Sequence, residues 1–175
     1  TFTDVKLRDA DGVLFLEVPR VDLNWRPWKW FFSGLDVRHL VLSDGTLHAV
    51  PHLLPGDPEA PILPNFDIRI DRFVIEDLHI DAAVLGEERV VQFRARADIR
   101  DGRVLVDADG EFGDADTFSL LADAAPDRDI FDLDLDWRAP AGGFLATMTG
   151  AEEELAVRLA GDGSWTAWTG ALQAQ

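Results

Sequence analysis

Alternation of apolar and charged residues at every second position is the feature that most restricts how this chain can fold. In Phe66-Asp67-Ile68-Arg69-Ile70-Asp71 the even positions are apolar and the odd ones charged. Val91-Gln92-Phe93-Arg94-Ala95-Arg96-Ala97 and Phe131-Asp132-Leu133-Asp134-Leu135-Asp136-Trp137 repeat the pattern with odd positions apolar. A period of two sends successive side chains to opposite faces of a strand, so each run has one dry and one wet face, the pattern of antiparallel sheets. The dry set is Phe66, Ile68, Ile70, Val91, Phe93, Ala95, Phe131, Leu133, Leu135 and Trp137. These ten are the candidate lining of an apolar face.

Other segments carry strand character around this frame. Residues 5–8 and 13–18 are joined by Asp9-Ala10-Asp11-Gly12, whose Asp-Gly end favours a hairpin because Gly accepts positive φ. Residues 21–25 follow as a separate strand, and Pro19 suits a strand start or an edge because it has no N–H for a ladder. Residues 40–42 and 46–50 flank Ser43-Asp44-Gly45 and predict a second hairpin. Residues 73–75, 78–82, 104–112, 118–122 and 155–160 add strands at intervals that suit a meander. The stretch 51–64 holds five of the nine prolines and can be neither helix nor central strand. It joins strand groups 1–50 and 65–175 as an extended loop within a single unit, tied down by Leu53, Leu54, Ile62 and Leu63.

Helix is scarce. One short turn is predicted after Pro140, over 141–149, and another at Arg26-Pro27-Trp28-Lys29-Trp30-Phe31-Phe32-Ser33-Gly34, with Pro at the first helical position and Gly at the close. Trp28, Trp30, Phe31 and Phe32 are more aromatic surface than one turn buries. We read them as closing one end of the sheet and as candidates for a membrane interface, where the ring sits in apolar matter and the indole N–H stays wet.

Charge excludes some functions and chemistry excludes others. The net charge is −17, and it is uneven: residues 1–50 carry 6 positive and 7 negative groups, residues 51–175 carry 10 and 26. Such a field repels nucleic acid, which needs a basic stripe against its phosphates. The near-neutral, Trp-rich first third is the part suited to lie nearest an anionic membrane, with Arg20, Arg26 and Lys29 offsetting its acids. With no cysteine there is no disulfide and no thiolate metal site. His48 and His52 are separated by Pro51, which forbids the helix that would align them, and the acid-rich stretch 107–116 lacks the EF-hand spacing and reads as a solvated turn. No Gly-x-Ser-x-Gly elbow, P-loop or dinucleotide fingerprint occurs. We therefore expect no enzyme, no cofactor, no metal and no nucleic-acid partner. No apolar run approaches the ~18 residues of a transmembrane helix.

The order of hairpin, β-run, Trp-x-Pro, apolar turn, Gly and β-run, carried by Asp9, Asp11-Gly12, Leu16-Glu17-Val18, Leu23, Trp25, Pro27, Gly34, Leu35 and Leu40, resembles the membrane-proximal region of the TamB family. These are the translocation and assembly module subunits of the wider AsmA-like group of diderm bacterial envelope proteins. A second match runs through Ala139-Pro140-Ala141-Gly142-Gly143-Phe144-Leu145, Gly150, Leu159-Ala160-Gly161-Asp162-Gly163 and Trp168-Thr169-Gly170, so the resemblance spans most of the chain.

The resemblance implies an antiparallel curved sheet folded over into an elongated hydrophobic groove, in a protein anchored in the inner membrane and spanning the periplasm. It implies a role in outer-membrane biogenesis, by phospholipid transport between membranes or by assembly of outer-membrane proteins. The partners implied are phospholipid acyl chains or outer-membrane protein strands, and a TamA-like outer-membrane barrel met by a part following Gln175. The membrane anchor is expected before Thr1. Pattern alone leaves two architectures open, a closed sandwich or barrel and an open curved sheet. A carbohydrate- or peptide-binding β-sandwich of a surface protein is the alternative function.

Overall fold

Strands β1 (Phe2–Arg8), β2 (Leu14–Trp25), β3 (Gly34–Ser43), β4 (Thr46–Leu47), β5 (Asp67–Ile80), β6 (Arg89–Arg100), β7 (Arg103–Phe112), β8 (Asp116–Ala125), β9 (Ile130–Ala139), β10 (Leu155–Gly163) and β11 (Trp168–Ala174) form one curved sheet. The computed structural model describes residues 1–32, 34–52, 63–64, 66–113, 115–164 and 167–174. The protein is all-β, as the alternation requires, with two short helices, α1 (Ala82–Leu85) and α2 (Phe144–Thr149), and 3₁₀ turns at Pro27–Phe31 and Pro126–Arg128. The spatial order is β1-β2-β3-β5-β6-β7-β8-β9-β10-β11. The path does not close, and β1 and β11 are the outermost of the described strands.

Pairing is antiparallel except where β3 and β4 run parallel to β5. β3 ends at Ser43 and β5 starts at Asp67, opposite Gly34, so the chain between them returns to the end from which β3 began. A parallel neighbour needs such a crossover of a dozen or more residues. Leu53, Leu54 and Ile62, expected to tie that stretch down, lie outside the described residues.

The predicted second hairpin does not form. β4 pairs with β2 and β5, the neighbours of β3, and so continues β3 in the same direction instead of folding back on it. Asp44, at φ +57°, is a local interruption of the row. Gly45 is buried, and a Cβ there would meet Leu78 Cδ1 at 3.0 Å. Residues 14–25 likewise form one strand, not two. Pro19 sits inside β2, facing the break at Asp44-Gly45 on one side and the left-handed Asp4 of β1 on the other, where a missing N–H costs least.

These irregularities line up. Asp4 (φ +55°), Pro19, Asp44 and Asp77 (φ +54°) occupy matching positions on neighbouring rows, as the pairs Val5↔Val18, Glu17↔Thr46, Ser43↔Glu76 and Thr46↔His79 locate them. An extra residue in a strand bends it and increases its twist. Four adjacent rows irregular at one level form a crease across the first part of the sheet.

The described strands all belong to one sheet. Among the described residues only eight apolar side chains are buried, and four of them are alanines. The accessible surface is 11215 Å², against about 8,500 Å² for a compact monomer of this mass.

Candidate functional site

Register decides which side chains share a face, because directly paired residues point the same way. One row can be followed through ten strands: Phe2, Val21, Leu42, Ile75, Phe93, Gly110, Phe118, Trp137, Val157 and Ala174 are successive partners. No member of it is polar. A second row, Leu23, Leu40, Phe73, Ala95, Ala108, Leu120, Leu135, Leu159 and Leu172, runs beside it. At about 4.8 Å per strand the apolar face extends roughly 43 Å across the sheet.

Aromatic rings pave this face. Phe73 meets Phe93 edge-on at 5.5 Å, and Phe118 stacks on Trp137 at 5.5 Å with 26° between planes. Where glycine interrupts a row, a ring takes its place: a Cβ at Gly161 or Gly170 would fall within 2.3 Å of the Trp168 ring. Trp168 thus lies flat over two glycines on neighbouring strands.

The structure puts nine of the ten predicted residues on this face within strands: Ile68 and Ile70 on β5, Val91, Phe93 and Ala95 on β6, and Phe131, Leu133, Leu135 and Trp137 on β9. Phe66 precedes β5 and meets Trp30 at 5.4 Å. Phe73, Ile75 and Leu78 share the face although they break strict alternation after Ile70. One residue added at each of two bulges, between Ile70 and Phe73 and between Ile75 and Leu78, restores them to the dry side. An apolar-polar-polar-apolar step was the signal in the sequence.

One carboxylate stands on the apolar face, and sequence reading missed its role. Asp116 pairs with Phe112, is 1% exposed, and accepts hydrogen bonds from Trp137 Nε1, Phe144 N and Leu145 N, each at 2.9 Å. The two amides are the orphan donors that open α2, so a side chain remote in sequence caps the helix. Gly143 lies so close that a Cβ there would fall 2.2 Å from Asp116 Oδ1. Phe144 packs on Phe112 at 4.4 Å, which lays α2 back over β7 and β8 at one rim of the apolar face. The predicted acidic turn at 107–116 is therefore mostly strand: Asp107 and Asp109 face Arg96 and Arg94 on the wet side, and Asp116 turns inward. Asp114 lies outside the described residues.

The opposite rim carries the aromatic turn. Trp28, Trp30, Phe31 and Phe32 are 59%, 52%, 81% and 87% exposed, so the turn presents its rings to solvent and does not bury them as a plug. Trp30 rests edge-on against Phe66, and the base of the turn is fixed. Arg26 Nη1 donates to the nearly buried Asp36 carboxylate at 3.0 Å, and the Arg26 backbone N–H donates to the Asp36 carbonyl at 2.9 Å. Lys29 Nζ stands 3.9 Å from the same carboxylate.

The wet face is laced with Arg–Asp pairs. The Arg103 guanidinium hydrogen-bonded to Asp123, and Arg100 to Asp98, hold those carboxyls below the usual carboxylate range. His48 Nδ1 lies 2.7 Å from Asp81 and His52 Nδ1 2.6 Å from Asp11, so each histidine faces its own acid. Among the described residues no group of three His, Asp or Glu is arranged to hold a metal ion, and no helix is long and apolar enough to cross a membrane. Compared with known proteins, the chain matches no family model, no curated protein and no solved structure.

Proposed function

We propose that this chain is a segment of an inner-membrane-anchored, periplasm-spanning protein of the TamB kind, and that its apolar face carries phospholipid acyl chains between membranes. One observation carries the reading: an unbroken apolar row crosses ten strands, and the described strands form no second sheet against it. Each methylene moved from water to such a surface gains about 0.8 kcal/mol. Two or three acyl segments would offset the cost of leaving so much apolar surface in one layer. Lipid is favoured over a protein strand as cargo because the apolar surface is a face lined by side chains, not a row of free backbone groups.

The exposed Trp28, Trp30, Phe31 and Phe32 are the part of the surface we assign to the bilayer interface, with Lys29 beside them. Trp side chains at such a rim sit at the headgroup level of a bilayer. Replacing Trp28 and Trp30 by Asp is expected to abolish association with phospholipid vesicles while the melting temperature stays within a degree or two, since both rings are mostly exposed. Unchanged vesicle binding would remove the turn from the membrane-facing role.

The cargo itself is tested by photocrosslinking from a probe at Phe93 or Leu133, together with native mass spectrometry of the freshly purified protein. Adducts with phospholipid, and co-purified phospholipid mass, are expected. Adducts with outer-membrane protein strands would replace the lipid reading by a protein-assembly one. Crosslinks confined to the chain itself would end both.

A further inference from the structure

We propose that a phospholipid lies on the apolar face in one orientation, with its phosphate at the rim of the aromatic turn and its acyl ends toward α2. The inference rests on the lipid reading and adds a direction to it, because the two rims of the sheet differ in packing and in charge. The pairs Gly34↔Asp67, Arg100↔Arg103 and Ala125↔Ile130 place the aromatic turn, the β6–β7 connection and the 3₁₀ turn Pro126–Arg128 at one rim. Ile80↔Arg89, Phe112↔Asp116 and Ala139↔Leu155 place α1 and α2 at the other. Packing closes the α2 rim. Ile80, Val91, Ala139 and Ala146 are buried there, and Phe144 lies on Phe112 while Asp116 ties the start of α2 to Trp137. That end of the apolar face holds protein where a headgroup would need water.

At the rim of the aromatic turn the apolar face runs out to solvent. Trp25 and Phe66 are 38% and 40% exposed, and the rings of Trp28 and Trp30 stand beyond them. An indole in such a place keeps its ring in apolar matter and its N–H wet. From Val104 to Phe112 β7 spans about 26 Å, so a headgroup at this rim leaves its acyl chains to run along the strands toward α2. Charge separates the rims in the same sense. Glu152, Glu153 and Glu154 follow α2 as three exposed carboxylates in succession, and Glu87 and Glu88 follow α1. Arg89 at that rim is already held by Glu87. The rim of the aromatic turn instead interleaves its charges: Arg26 and Lys29 face Asp36, Arg100 pairs with Asp98 and Arg103 with Asp123, and Arg128 stands exposed between Asp127 and Asp129. An unbroken run of carboxylates repels a lipid phosphate, whereas a rim with cations among its acids admits one.

The test is NMR of the protein loaded with phosphatidylcholine that carries a nitroxide either on the headgroup or at the end of an acyl chain, recorded after vesicles have been removed. Indole N–H signals report the two rims, Trp28 and Trp30 at one and Trp137, bonded to Asp116 beside α2, at the other. The headgroup label is expected to broaden Trp28 and Trp30 several-fold more than Trp137, and the chain-end label to reverse that ratio. Equal broadening of both sets by each label, or the opposite pattern, would overturn the orientation while leaving the lipid reading in place. Labelled lipid retained by native mass spectrometry without broadening of either set would overturn it in the same way. No lipid retained at all would end the lipid reading itself, and the orientation with it.

Discussion

The creased strands β1 to β5 and the regular strands β6 to β10 solve one problem in two ways. Both must keep a single apolar face continuous. From β6 to β10 every pairing advances residue for residue, and the period of two keeps the dry face apolar, with Leu105 and Leu121 left exposed among aspartates on the wet one. Across β1 to β5 the pattern slips at Asp4, Pro19, Arg38, Asp44, between Ile70 and Phe73, and at Asp77; a bulge or a left-handed residue returns the apolar set to the dry side at all of them but Pro19, which lies opposite the left-handed Asp4. The comparison teaches that alternation need not be strict for a face to be continuous, provided each phase error coincides with a residue that tolerates it. Asp, with its short side chain, is one of the few non-glycine residues that visits the left-handed region.

The largest expected effect breaks the regular half. Its irregularity is confined to connections, chiefly the α2 segment, and that segment is pinned by Asp116. Asp116→Ala would leave three donors without their acceptor at a buried site, so we expect a loss of about 3 kcal/mol, measured by urea unfolding. Asp116→Asn should fall between the two, since one oxygen still accepts. Gly143→Ala is expected to cost about 1–3 kcal/mol through overpacking against the same carboxylate. If both variants melt like the parent, α2 is not held to the apolar face.

A smaller effect sharpens the creased half. Asp44→Val and Asp77→Val place a β-branched residue where φ is +57° and +54° and should each cost about 1–2 kcal/mol. Asp44→Gly should cost nothing or stabilise slightly, because Gly pays no steric penalty there. Equal losses for Val and Gly would mean that the Asp side chain, and not its backbone conformation, matters at the crease.

The same contrast explains what could be read in advance. The faces of β6 and β9 were legible because Val91–Ala97 and Phe131–Trp137 alternate without error, and period alone assigns each side chain. β5 was legible only as three fragments, since its two bulges look like strand ends until the partner strand is known. Ser43-Asp44-Gly45 carries a turn signature, yet whether such a triplet reverses the chain or merely kinks it depends on what lies to either side, here β2 and β5. Asp116 was read as one more acid in an acidic stretch. Nothing local distinguishes it from Asp109, because its partners Trp137, Phe144 and Leu145 lie more than twenty residues away.

The smallest effect concerns the paired charges on the wet face of the regular half. Hydrogen bonds from Arg103 to Asp123 and from Arg100 to Asp98 lower the pKa values of both carboxyls in the folded protein. A carboxyl with a folded value below its unfolded one binds fewer protons when folded, so its contribution to stability is complete above the ordinary carboxylate range near pH 4. That contribution is lost as pH falls through the lowered folded values, and raising the pH from 5 to 8 should leave it unchanged. Arg103→Gln is expected to move the Asp123 titration back toward the ordinary range, followed by carboxyl NMR, and to make unfolding less sensitive to acid below pH 4. Salt should narrow the difference, because both partners stand partly in solvent. An Asp123 titration unmoved by Arg103→Gln would show that the ladder is not holding its charge in solution, and the regular half would then owe its order to the apolar face alone.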